Sequence, residues 1–314
     1  MGNVLQTTNN GTKLFPPELT NEMFNLVRGK SSLARLSASR PVPFNGTTAW
    51  TFTLDKEVDI VAENGKKSNG GAALGQKTIT PVKVEYGTRA SDEFMYASNE
   101  IQLDVLRNFA EGFAKKVARG IDIMAFHGLN PRTGLAAVTI GTNHADAVVD
   151  QTVTYTAATA NDNVTAAIDL VEGNEHEVTG MAMAPAFRAA LANIKKSSTS
   201  NEPLFPELAW GASPDTINGL AVDVNPTVAF GGSLDRAIVG NFRDCFRWGY
   251  SKQLPIEIIQ YGNPDNDPEA GDLKGHNQIY IRGEAYIGWG ILIPAAFARI
   301  VASNAGASTL PIGG

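Results

Sequence analysis

The chain has one cysteine, Cys245, in 314 residues. That scarcity excludes an intrachain disulfide and any metal site built on clustered thiolates, and it points to a reducing compartment. Cys245 itself, between Asp244 and Phe246, reads as a small core residue. Long apolar runs are missing as well. Nowhere do about eighteen apolar residues follow one another, so no membrane span is expected. The opening Met1-Gly2-Asn3-Val4 lacks a basic region followed by an apolar run, so no secretory signal is read. Excess positive charge is absent too. A net charge of −6 and a pI near 5.3 give no electrostatic footprint for gripping nucleic acid, although they suit a protein that encloses it.

Catalytic patterns are equally scarce. The four histidines stand in polar contexts and read as solvent-facing, and no two have the i, i+4 spacing of a helical metal pair. His144 with Asp146, and His176 between Glu175 and Glu177, offer ligand types without a complete set. No Gly-x-Ser-x-Gly nucleophile signature occurs. The stretch Gly70-Gly71-Ala72-Ala73-Leu74-Gly75-Gln76-Lys77-Thr78 approaches a phosphate-binding loop, but such a loop needs its lysine directly after the second glycine. Here Gln76 intervenes, and Thr78 to Pro81 reads as extended chain. No catalytic, cofactor-binding or metal-binding residue is assigned, and the chain is not read as an enzyme.

What is present suffices for a substantial core: 43% hydrophobic residues, with four tryptophans and fourteen phenylalanines, in one large domain or two intimate ones. The organising stretch runs from Ser91 to Gly134. Apolar residues Ile101, Val105, Phe109 and Phe113 recur every fourth position, widened by Leu106, Val117, Ile121 and Met124, which predicts a helix over Asn99 to His127. Asn99 and Gln102 fit a capping box, while Gly128 and Pro131 fit its end. At about 1.5 Å per residue this is a rod on the order of 40–45 Å long, a spine. Its Lys115, Lys116 and Arg119 form a basic patch, either a solvated face or a contact for an anionic interior or scaffold.

Before the spine, residues 1–45 are polar and proline-broken, with one helical segment at Glu18 to Val27. They read as an arm reaching for another surface, or as a frayed terminus. Trp50, Phe52 and Leu54 alternate with threonines, and Val82, Val84 and Tyr86 alternate with charged residues, predicting two half-exposed strands. The turn-rich Glu63 to Gly71 between them makes a finger with a polar tip. A lone hairpin is marginal in water, so it is expected to lean on a neighbouring subunit. After the spine come a helix capped by Asn161 or Asp162, a buried strand at Gly180 to Ala184, and a helix opened by Pro185. Strands follow at Leu220–Val224, Arg236–Gly240 and Ile256–Ile259, then a final pair at Gln278–Arg282 and Tyr286–Ile293. The irregular mixture is α+β.

Several of these stretches carry a resemblance: Ser91-Asp92-Glu93-Phe94, the helix end Gly120 to Gly128, Asn130-Pro131-Arg132-Thr133-Gly134-Leu135, Asn218 to Val222, Arg236 to Phe242, Arg282 to Gly288 and Pro294 to Ala298. In order and spacing, over roughly residues 15–302, they resemble the major capsid proteins of tailed bacteriophages with the Hong Kong 97-like fold. The resemblance implies an N-terminal arm (1–45), an extended β-hairpin loop (46–88), a peripheral domain with the spine helix (89–133), an axial domain (134–280), and a C-terminal strand returning to the peripheral domain with a tail (281–314). It implies a subunit that self-assembles into hexamers and pentamers of an icosahedral shell enclosing double-stranded DNA without sequence-specific binding. Glu63, Lys66, Lys67 and Lys77 become inter-subunit contacts, and Lys115, Lys116 and Arg119 an inner-face or scaffold contact.

Implied partners are a portal protein and a separate scaffolding protein, because no room is read before the arm for a built-in one. The implied location is the virion, after assembly in the bacterial host cytoplasm. Some members of the family join the finger to a neighbour by a lysine–asparagine isopeptide bond. No asparagine and catalytic glutamate can be matched to Lys66, Lys67 or Lys77, so no cross-link is expected. The alternatives are an encapsulin-type bacterial nanocompartment shell and, in another class, a hydrolase or nucleotide-binding enzyme.

Overall fold

The computed structural model describes residues 31–54, 56–96, 99–197, 199–252 and 256–303, so the helical segment expected at Glu18 to Val27 lies outside it. The described chain enters through a short helix, α1 (Ser32–Leu36), capped by the Ser31 hydroxyl, which accepts the Ala34 N–H. Strands β1 (Thr47–Leu54) and β2 (Ala72–Ile79) then pair antiparallel as a separate two-stranded sheet, with Phe52 opposite Leu74. This is the finger, but its second strand is not the Val82 strand. Glycine, glutamine and lysine give Ala72–Ile79 little β-propensity, which hides it in the sequence. Pro81, without an N–H, interrupts the chain before β3 (Val82–Ser91), which joins a different sheet.

The spine helix α2 runs from Asn99 to His127, over the residues its periodicity predicts. Leu106, Phe113, Val117, Ile121 and Met124 are buried, whereas Val105 falls on the exposed side of the stripe. Asn99 is the first helical residue, so the cap position precedes it, outside the described residues. The Gln102 amide donates to the carbonyls of Phe94 and Met95 in the preceding turn, at 3.1 and 3.2 Å. Gly128, in the left-handed region with φ 66°, donates to the Met124 carbonyl and closes the helix as expected.

Helix α2 packs on a four-stranded sheet centred on β11 (Gln278–Ile291). β3 lies along one edge of β11, and β9 (Phe246–Lys252) and β10 (Ile256–Ile259) follow end to end along the other. The two strands expected at Gln278–Arg282 and Tyr286–Ile293 are therefore one. Gly283 makes no turn; it leaves room for the Phe113 ring, 2.9 Å from where a Cβ would sit. A register shift between Tyr286 and Ile287 takes up the irregularity. Cys245 is buried here, as expected.

The second sheet has six strands, ordered β4 (Thr152–Tyr155), β12 (Phe297–Ala302), β8 (Asp235–Gly240), β5 (Gly180–Met183), β7 (Leu220–Val224) and β6 (Thr216–Ile217). Only β4–β12 and β5–β7 are parallel, the mixture anticipated for an α+β chain. Helix α3 (Ala145–Val148) follows the spine; α4 (Ala160–Glu172) and α5 (Pro185–Ala192) come later, and Val171, Phe187 and Leu191 bury against Val222, Val239 and Ile300. Helix α4 starts before its expected caps Asn161 and Asp162. Asn163 serves its entry instead, accepting the Thr156 N–H at 2.8 Å and donating to the Thr154 carbonyl.

Candidate assembly surface and its anchors

The finger alternates strictly, and the alternation sorts its side chains by chemistry. Trp50, Phe52 and Leu54 point to one face of β1, and cross-strand pairing puts Leu74 on that face opposite Phe52. All four are exposed, Trp50 at 61% and Phe52 at 67%. The opposite face carries Thr47, Ala49 and Thr51, with Lys77 opposite Ala49. The root is fixed: Ile79 is fully buried against Gly288 and Gly290 of β11. The finger is thus held at one end and apolar along one side.

Glu63, Lys66 and Lys67 are all exposed in the connection between β1 and β2. Lys77 is not with them. It lies five residues down β2 from Ala72, roughly 17 Å away. Lys115, Lys116 and Arg119 are exposed on α2, and the Arg119 guanidinium lies 5.2 Å over the Phe230 ring. The glycine-rich near-match to a phosphate loop is extended strand, with Gly75 paired to Thr51.

Three groups invisible in the sequence anchor these surfaces. Asp122, wholly buried in α2, accepts hydrogen bonds from the Ser31 hydroxyl (2.5 Å), the Ser32 and Leu33 amides, the Asn225 amide and the Thr227 hydroxyl. Burial raises its carboxyl to about 6, against the pull of those donors. Beside it Asp223 accepts from the Ser32 hydroxyl and from Arg35, which also pairs with Asp215. The root of the N-terminal segment is therefore tied to both α2 and the six-stranded sheet. Residues 39–42 continue the tie, with Arg40 and Val42 donating to the Trp248 and Tyr250 carbonyls of β9.

The second anchor is Arg89 on β3. It holds Asp265 through two nitrogens, at 2.9 and 2.6 Å, and also reaches Asn263, Gln278 and the Ala270 and Gly271 carbonyls. That guanidinium holds the Asp265 carboxyl down at about 2.

The third contains His127, which is buried at the end of α2 and not solvent-facing as its context suggested. It pairs with Asp146, and Arg299 in turn bridges Asp146 and Asp235. Ligand atoms of His127, Asp146 and Asp235 lie within 4.8 Å of one another. Both His127 nitrogens already face acceptors, and the cation between the two carboxylates is Arg299, so this set is not assigned as a metal centre.

The sequence profile of the phage capsid family matches residues 11–302. A solved structure from Mycobacterium phage Ogopogo superposes with a TM-score of 0.74 at 30% identity, over 87% of this chain and 92% of that one. One from Gordonia phage Cozz gives 0.71 at 24% identity, over 87% of each. The capsid of an empty GTA particle gives 0.62 at 14% identity, over 87% of this chain and 90% of that one. Among curated proteins, none matches.

Proposed function

The chain belongs to the phage capsid family, and from that premise we propose that its subunits join chiefly through the apolar face of the finger. It is a major capsid protein with the Hong Kong 97-like fold: a structural subunit of a shell-forming homo-oligomer and a component of the virion. The encapsulin and enzyme alternatives find no support.

The observation that carries the finger reading is the exposed Trp50–Phe52–Leu54–Leu74 stripe. Contiguous exposed apolar surface marks an interaction site. Each aromatic ring offers about 150–250 Å², so burying the exposed part of two is worth roughly 6 kcal/mol at about 25 cal/mol per Å². An exposed lysine–carboxylate ion pair gives only about 0–1 kcal/mol. Glu63, Lys66 and Lys67 then form the polar rim of the contact, and Lys77 lies on the finger's other face.

The arm–finger–peripheral–axial division is the frame for this reading: 1–45, 46–88, 89–133 and 134–280, with 281–314 returning; within 46–88 the finger itself is β1 and β2, and the chain from Val82 already runs in the β11 sheet. Hexamers and pentamers close the shell in the host cytoplasm around a separate scaffolding protein and a portal. Lys115 and Lys116, exposed on α2, offer an acidic scaffold segment two cations, with Arg119 braced beside them on Phe230. The net charge of −6 suits a wall that holds double-stranded DNA without binding it at every subunit.

The test compares two double variants of the full chain by electron microscopy. Trp50→Ser with Phe52→Ser should fold with unchanged circular dichroism and form no shells, while Lys66→Ala with Lys67→Ala should still form them. Normal shells from the serine variant would overturn the reading.

A further inference from the structure

His127 Nδ1 lies 2.8 Å from a carboxylate oxygen of Asp146, and Nε2 lies 2.9 Å from the Thr227 carbonyl oxygen. A carbonyl oxygen has no proton to give. Neither has Asp146: burial favours its protonated form, but the hydrogen bond to His127 and the permanent charge of Arg299, 2.8 Å from its other oxygen, hold it below its ordinary value, as the carboxylate. Each ring nitrogen must therefore bring its own hydrogen, which makes the ring an imidazolium. Arg299 continues the chain, its Nη2 2.8 Å from Asp146 and 2.9 Å from Asp235, with Nε 3.2 Å from both oxygens of Asp235. Arg299 thus serves both acids, pairing with Asp146 and donating to Asp235, whose ionised form burial disfavours.

We propose that His127, held as an imidazolium, forms with Asp146, Arg299 and Asp235 a proton-controlled clasp that fastens the end of the spine helix to the six-stranded sheet. Five separate stretches of the chain contribute to it. Helix α2 supplies His127, α3 supplies Asp146, and β8 and β12 supply Asp235 and Arg299. The turn at Pro226–Gly232 supplies the Thr227 carbonyl, and the same residue's hydroxyl donates to Asp122. Among the described residues, His144 also faces the cluster, its ring packed on Gly128.

The directions of the proton equilibria agree with this geometry. Burial works against a charged His127, yet Asp146 and the Thr227 carbonyl win and raise it. Burial lifts Asp235 to about 7 against the pull of Arg299, and Asp122 to about 6. All three hold protons in the folded chain that the unfolded chain has released, so the junction is tightest on the acid side. The His127 contribution is complete below about 6.5, the ordinary histidine value, and is lost as pH rises through its raised folded value. His144 runs the other way, because burial lowers it.

Hydrogen exchange read by mass spectrometry on the full-length protein tests the clasp, at pH 6 and pH 9 after correction for intrinsic rates. Wild type should lose protection several-fold at pH 9 in residues 118–128, 226–240 and 297–302, with less change in 278–291. His127→Gln, which removes the largest group titrating across this window, should shrink that difference several-fold in those segments, leaving the part that Asp235 carries. Equal wild-type protection at the two pH values, or a His127→Gln chain that keeps the wild-type difference, would overturn the proposal. Should that variant not fold, Asp146→Asn takes its place: it should move the loss of protection to lower pH, and an unmoved midpoint would count equally against the clasp.

Discussion

The Asp122 carboxylate and the Ser31 hydroxyl, 91 residues apart in sequence, meet at 2.5 Å inside the protein. Through this contact the N-terminal segment is moored to the middle of the fold and not to its rim. Asp122→Ala would leave the Ser31, Ser32 and Thr227 donors buried without an acceptor, each lost partner costing about 1–3 kcal/mol. We expect a loss of at least about 3 kcal/mol in urea unfolding of the unassembled subunit, with Asp122→Asn losing less.

Gly249 and Gly112 should respond in opposite directions to alanine. A Cβ on Gly249 would collide with the Arg40 carbonyl, where residues 39–42 cross β9. Gly249→Ala should cost about 1–3 kcal/mol, as overpacking does. Gly112, inside α2, has open space around it, with nothing within 4 Å of where a Cβ would sit. Gly112→Ala should stabilise the subunit by about 0.5–1 kcal/mol. Denaturant midpoints of the two variants check both signs.

Arg89 should govern one loop and little else. Replacing it with lysine removes the fork that holds Asp265, Asn263 and Gly271, so limited proteolysis within residues 262–277 should quicken while α2 stays protected. Because Asp265 is held down at about 2, its pairing is present above the ordinary aspartate value and lost as pH falls through about 2. Acid should therefore loosen this loop in wild type, while Arg89→Lys should be loose throughout.

Denatured shells should run as a single band near 33.4 kDa. No asparagine and glutamate can be matched to Lys66, Lys67 or Lys77 for a covalent link, and Lys77 lies on the finger's other face, far from the two tip lysines. A ladder that survives boiling with denaturant and reductant would refute this.

How much could be read from the sequence depended on how local the physics is. The spine was legible to the residue, because a 3.6-residue stripe and a left-handed glycine stop are both local signals. The apolar side of the finger was legible from Trp50, Phe52 and Leu54, but its partner strand was not. Ala72–Ile79 has neither alternation nor β-branching at most positions, and is a strand only because β1 lies beside it. Gly283 looked like a break and is a gap for Phe113, a relationship between residues far apart in the chain. His127 looked solvent-facing because its immediate neighbours say nothing of Thr227, Asp235 or Arg299. Buried polar clusters are assembled by topology, and single-chain periodicity does not report them.

Strand β11 pairs with β3, β9 and β10, and the six-stranded sheet needs β12. Neither large sheet can close until the ribosome has passed residue 278 and, for the second, residue 297. At about 5–20 residues per second, β3 waits roughly ten to forty seconds for its partner. Pairings of such long sequence separation also fold slowly once available. A nascent chain therefore has no finished platform on which to seat its finger, and subunits still being synthesised are barred from the growing wall by the order in which their strands are made.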